Sequence, residues 1–359
     1  MRRVFLDGNR LRGLGARALA AIGASIALLL GAQTVWAQTS GGLLIPHATW
    51  ACGMPEGIPS PEAGRLVFEI EISLERAVDI GRTPYGARRV AVGLEGTVEG
   101  PRLSGAVAAG ALDLELSLAN GVIEIEQALV LQASDGSFIY ARNAGTGPSA
   151  GDVRVVLDFE APNESEHAWL NTGKFVARRE LSAAQKSLHL RVYDVSSVAV
   201  GSGGNGGISI TKPADAAAQP WGYRVKDASE QQGEILITEN VTLSPSQRVG
   251  PSKRGDRNII PITGGTVSGR IVGKVLMGGA DYQILTPPAS IDAHYLWETD
   301  DGELIIVRNG GGFGGLVPRF ETRVDGPYAY LNTGSYLSSN PGMGQGGVAL
   351  TFYESVKPR

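Results

Sequence analysis

A chain of 359 residues with 36 acidic and 32 basic side chains has a formal charge of −4, a balance that argues against a nucleic-acid partner, whose phosphates demand a basic face. Its one cysteine, Cys52, excludes an internal disulfide and any zinc site built on several thiols. Fifty glycines, few aromatic residues and no long helical periodicity point to an all-β chain of many short strands.

Residues 1–37 read as an export signal. Arg2, Arg3, Arg10, Arg12 and Arg17 form a basic start, Ala18 to Leu30 is apolar, and Val35-Trp36-Ala37 offers small residues for cleavage before Gln38. The apolar run is too short and Gly-interrupted for a membrane span. The opening Arg2-Arg3-Val4-Phe5-Leu6 resembles the twin-arginine pattern, and ordinary Sec export fits as well. A periplasmic or secreted protein follows, with no membrane attachment after signal removal. Without the signal the charge falls to about −8, which also disfavours anionic lipid. Cys52 lies too far past the apolar run for a lipoprotein, and reads as buried or inert.

Residues 38–63 form a Gly- and Pro-bearing lead-in. The first β-unit occupies 64–198. Its opening run, Leu66 to Leu74, alternates apolar and acidic residues as a half-buried strand does. Strand-like runs follow at Arg88–Leu94, Leu112–Leu118, Val122–Leu131, Phe138–Ala141, Val153–Phe159 and Leu188–Val195, with Asn120-Gly121 and Asp135-Gly136 as turns. Residues 199–233 read as a flexible Gly/Ser/Pro-bearing linker. The second unit spans 234–359.

The two units say nearly the same thing. Arg88 matches Arg257, Gly96 and Gly100 match Gly265 and Gly269, and Asp113 matches Asp281. Arg142-Asn143 matches Arg308-Asn309, Phe159-Glu160 matches Phe320-Glu321, and the LNTG segment at Leu170 recurs at Leu331. A duplicated unit of this kind predicts two tandem antiparallel β-barrels of eight to ten strands, packed about a pseudo-two-fold axis. Closure removes open edges, and the repeated glycines supply the bends it needs. A β-sandwich is the alternative.

Gly278 to Tyr282, Ile291 to Gly311, the Phe-Glu pair and the segment Tyr328-Ala329-Tyr330-Leu331-Asn332 resemble the bacterial domain-of-unknown-function family 3237, also called UPF 0311. The resemblance covers both units and is closer in the second. The first has Ala128 where the second has His294. Membership implies a lipocalin-like (calycin-like) closed barrel with a small-molecule cavity, and no settled activity.

Within such a barrel, strand alternation puts Asp292 and His294 on one face and Tyr295 and Trp297 on the other. His294, oriented by Asp292, would serve as an acid-base pair, with Arg308 stabilising negative charge. The competing reading is an outer strand surface. Arg142 and Arg308 would either clamp a ligand or pair with Glu160 and Glu321. Asp113 and Asp281 read as cavity acids or turn caps. Asn171 and Asn332 satisfy turn backbone or touch a ligand. Trp169, Tyr328 and Tyr330 form barrel wall or cradle a flat ligand.

No cofactor is expected, because Walker and dinucleotide motifs are absent. Four scattered histidines do not read as a zinc site. Three functions stay open: a binder of a small apolar or aromatic molecule, a cofactor-independent isomerase, cyclase or lyase, and a structural envelope protein. The partners expected are the small molecule and each repeat for the other, with a homo-oligomer left open.

Overall fold

The computed structural model describes residues 42–50, 53–200 and 207–357; the export-signal reading and Cys52 fall outside them. Strands dominate, and the helical pieces among these residues are three single 3₁₀ turns. No helix among them is long and apolar enough to cross a membrane.

The first unit closes completely. Ile123–Ala133, Phe138–Gly147, Val153–Glu160, Phe175–Leu181, Ser187–Asp194, Arg65–Ser73, Gly96–Glu99 and Gly105–Val107 pair in that order, and the last returns to Ile123–Ala133. Eight strands make a barrel narrow enough for side chains to fill, and Phe68, Ile70, Leu129, Leu131, Phe159 and Leu190 do so. Leu112–Ser117, Ala87–Val92 and Ala77–Arg82 continue as a flap from the first half of Ile123–Ala133.

The second unit repeats the plan in one longer strand. Gly255–Gly269 pairs through its first half with Gln247–Ser252 and Ala280–Ile284, and through its second half with Gln231–Leu243 and Gly273–Val275. Gly265, and Gly96 in the first unit, stand where neighbouring strands approach closely. A Cβ there would lie 2.2 Å from the carbonyl oxygen of Asn240 or Glu71, so only glycine fits. Closure of this barrel is thinner. The first barrel joins Val153–Leu157 to Phe175–Arg179 residue by residue. The second strand of the matching pair, Tyr336–Ser338, is only three residues long, and it meets its neighbour through Ser338 N–H donating to the Leu316 carbonyl at 3.1 Å.

The flaps meet face to face. Val90, Val92, Leu112, Leu114 and Tyr140 of the first barrel share a buried cluster with Val249, Ile259, Ala280, Tyr282 and Leu296 of the second. Contacts across this face come in swapped pairs. Asn163 N–H donates to Pro251 O and Val324 N–H donates to Arg82 O, both at 2.8 Å. Ser252 Oγ donates to Glu160 and Thr83 Oγ1 to Glu321, again at 2.8 Å. Each pair joins positions that match in the repeat, which is the signature of a pseudo-two-fold axis.

The expected loose linker is instead docked where the structure describes it. Ile208–Ser209 pairs in parallel with Leu44–Ile45, Ile210 is buried, and Gln219 bonds Arg88 and Glu124. Its polar side chains satisfy buried charges at the seam between the barrels, which composition does not reveal. The lead-in is tied down as well, with Arg154 donating to the carbonyls of Gly42 and Ile58.

Candidate functional site

The proposed acid-base constellation forms, but not in a lumen. His294 Nε2 lies 2.9 Å from Asp292 Oδ1, and both project toward the seam. Arg308 reaches across to Glu126 of the first barrel at 2.5 Å. Arg142 of the first barrel lies 3.8 Å from Asp292 of the second. Register equates Ala128 with His294 and Glu126 with Asp292, so these two ion pairs are one contact made twice. Burial pushes the Asp292 carboxyl up, but His294 and then Arg142 and Arg308 outweigh it and hold it at about 2. Glu126 is likewise held below the usual carboxylate range, chiefly by Arg308 against burial.

Glu321 and Glu160 are also seam residues. Glu321 takes Arg88 at 2.7 Å and Glu160 takes Arg257 at 2.7 Å. The alternative of Arg308 and Arg142 pairing with Glu321 and Glu160 is therefore replaced by a cross-barrel exchange. Asn171 and Asn332 do turn work. Each accepts one backbone N–H and returns a bond to the same residue, Ala161 or Thr322, at 2.8–3.0 Å. Trp169 packs on the first core with Arg102 3.6 Å above its ring. Tyr328 bonds Asp301, and Tyr330 is largely exposed. Neither reaches the cavity described next.

The second lumen holds a cavity of about 160 Å³. Its wall is mostly apolar: Val241, Leu243, Ile262, Ile291, Leu316 and Leu350 contribute. Asp281 is the charged group on that wall, joined by Gln283, Tyr295 and Asn309. Phe313, well exposed, and Pro341 stand at the mouth where the short strand leaves a gap. Of the predicted site residues, Asp281 alone faces this space.

Asp281 keeps some surface toward the cavity yet is ringed by protein. Burial drives its carboxyl up to about 7, only partly offset by bonds from Gln283 and the Asp292 N–H. Deeper in, Glu239 takes the Tyr295 hydroxyl at 2.5 Å and the Trp297 indole N–H at 2.9 Å. Burial raises it to about 7 against those two bonds. Glu239 is not among the residues read from the sequence as site candidates, and Tyr295 is read there only as facing away from His294. Their signal is there: Glu239 shares a strand face with Ile237 and Val241, where the first unit carries Ile70.

The matching space in the first barrel is occupied. Asp113 accepts from Gln127 at 2.8 Å and from Arg179 at 3.2 Å, and Arg179 also meets Glu115 at 2.8 Å. By register, Gln127 corresponds to Ala293, and the strand that carries Arg179 in the first barrel is cut to Tyr336–Ser338 in the second. Alanine at position 293 and a wall without arginine leave that space open in the second barrel.

Asp135, Glu166 and His167 bring ligand-type atoms within 4.8 Å of one another. The same tie recurs as Tyr328 hydroxyl to Asp301 in the second barrel, at 3.1 Å. It fastens the 3₁₀ turn to the Asp-Gly turn in both units, and a tyrosine does that as well as a histidine.

A closed antiparallel barrel, repeated once and joined through a reciprocal face, defines a tandem β-barrel protein. The chain belongs to the family described as "Protein of unknown function (DUF3237)", which matches residues 63–198 and 232–315. It is similar to UPF0311 proteins of Rhodopseudomonas palustris (strain TIE-1), 53% identical over 81 residues, and of Bradyrhizobium diazoefficiens, 48% over 80. Each alignment takes in 22% of this chain and 53% of the relative, so the chain spans about half the length of the curated relatives it matches. A solved β-barrel-like protein from Acinetobacter baumannii is 31% identical, with 36% of this chain and 99% of that one covered and a TM-score of 0.31.

Proposed function

We propose that the protein binds a small, mostly apolar or aromatic molecule in its second barrel, with the first barrel as a structural partner. The observation that carries this is the difference between the two lumens. One is filled by Gln127 and Arg179, while the other keeps about 160 Å³ of apolar space at the same place. An apolar cavity of about 150 Å³ accepts a benzene-sized molecule, so a monocyclic ligand matches in size. Native mass spectrometry of the purified chain, together with a toluene titration followed by calorimetry, tests it. Absence of both a retained ligand and toluene uptake would sink the reading.

A second reading is enzymatic. Asp281, poised at about 7 on the cavity wall, is able to exchange a proton near neutral pH. This moves the acid-base role of an isomerase, cyclase or lyase from His294 to Asp281. Loss of turnover in Asp281→Asn but not in His294→Ala is the expected pattern for any substrate found.

Export is part of the proposal. The arginine-rich start and the apolar run after it support it. Cell fractionation with N-terminal sequencing should find the chain beginning at Gln38 outside the cytosol, and an uncleaved cytosolic chain would remove it.

A further inference from the structure

The first barrel shows what the second is shaped to hold. In the first, the Gln127 carboxamide bridges two wall residues. Its Nε2 donates to Asp113 Oδ2 at 2.8 Å, and its Oε1 accepts from Asn143 Nδ2 at 2.8 Å. Gln127 is completely buried, and register sets it between Asp113 on one neighbouring strand and Asn143 on the other.

The second barrel keeps both wall residues and removes the bridge. Asp281 and Asn309 occupy the matching positions on either side of residue 293, which is alanine. Both line the cavity. Asn309 is buried, and its Oδ1 has no hydrogen-bond partner while its Nδ2 turns to Ser338 Oγ at 3.1 Å. The matching Asn143 Oδ1 is unpaired as well, so the bridge runs through the amide N–H groups: Ser338 takes one N–H of Asn309, and the other is left for a ligand acceptor.

We infer that the ligand carries a carboxamide-like group, a hydrogen-bond donor beside an acceptor, on a small apolar body. Its donor faces Asp281 and its acceptor faces the Asn309 amide, as the Gln127 side chain does in the first barrel. The apolar body lies among Val241, Ile262, Leu316 and Leu350. This inference rests on the cavity being a binding site. Two other features agree with it. Among the described residues of the first barrel, the amide of Gln127 is the polar group that joins Asp113 to Asn143. No arginine or lysine lines the cavity and no ion pair to Asp281 forms among the described residues, so no cation competes with the ligand's donor for that carboxylate.

The test uses the full chain and two probes of similar size, benzamide and toluene, titrated by calorimetry. Benzamide should bind at least about tenfold more tightly than toluene, the factor that one added hydrogen bond of about 1.4 kcal/mol supplies. Ala293→Gln should abolish benzamide binding by supplying the amide from within, with thermal stability equal to wild type or higher. Asn309→Ala, which adds no bulk, should weaken benzamide and leave toluene unchanged. Equal affinity for the two probes overturns the inference while leaving the cavity reading standing. Binding of neither probe removes the cavity reading itself. Benzamide binding that survives both variants overturns the bridging geometry.

Discussion

Arg88 of the first barrel donates from Nε to Glu321 of the second at 2.7 Å, and Arg257 returns the contact to Glu160 at 3.0 Å from its own Nε. Both arginines and both glutamates are buried. The second guanidinium nitrogen of each fork also reaches its carboxylate, so both pairs are two-pronged. The seam is therefore an isologous interface contained in one polypeptide. Four charges removed from water require such geometry to be tolerated at all.

Removing one side of a pair leaves a buried uncompensated charge. Arg88→Ala should cost about 3–5 kcal/mol in urea unfolding, and Arg257→Ala a similar amount. Arg88→Met combined with Glu321→Leu should recover most of the loss, because shape is kept and no lone charge remains. A double variant as unstable as the single would refute the argument that stranded charge is the cause.

Asn171 and Asn332 hold their loops through two backbone bonds each. Replacing either by alanine should lower stability by about 1–3 kcal/mol and leave toluene uptake unaltered. A loss of uptake without a loss of stability would return these residues to the ligand site.

The fold was legible because duplication leaves marks that chemistry preserves. Gly96 and Gly265 fill places where a Cβ would collide with backbone, so the matched glycines pointed directly to bent, closed strands. Alternation also correctly separated His294 from Tyr295. What it could not supply was which face looked inward. An outer barrel face is normally wet, but here it meets a second barrel, so the charged face is buried as well. Glu239 was hidden for the converse reason. Glu239 in the strand Gln231–Leu243 looks like Glu69 and Glu71 of the first unit, yet those point outward and Glu239 points in. Chain composition likewise made residues 207–230 look loose, because Gln219 acts only through partners far away in sequence.

His294→Ala should leave the seam in place and spare the cavity. The first unit already carries Ala128 at the matching place opposite Arg142, so the seam accommodates an alanine there. Toluene affinity should stay within about a factor of two, as expected for separate sites. A larger drop would tie the His294 side chain to the lumen and revive its acid-base role.

Asp281 and Glu239 make a pH prediction with a definite sign. Both carboxyls sit at about 7 in the folded protein, against ordinary values of 3.8 and 4.5. The folded chain therefore holds protons that the unfolded chain has released. Their contribution is fully present below about pH 4 and is lost as pH rises through about 7, at up to about 1.4 kcal/mol per pH unit for each group. Asp292, held at about 2, acts in the opposite sense and only in acid, so the windows do not overlap. Urea unfolding between about pH 5 and pH 8 should show stability falling toward the alkaline end. Asp281→Asn with Glu239→Gln should flatten that slope, since neither amide ionises and the carboxamide introduced at position 239 keeps an acceptor for Trp297. A wild-type profile that is level across this range would mean that the two acids ionise freely, and the lumen would then be far wetter than its apolar wall implies.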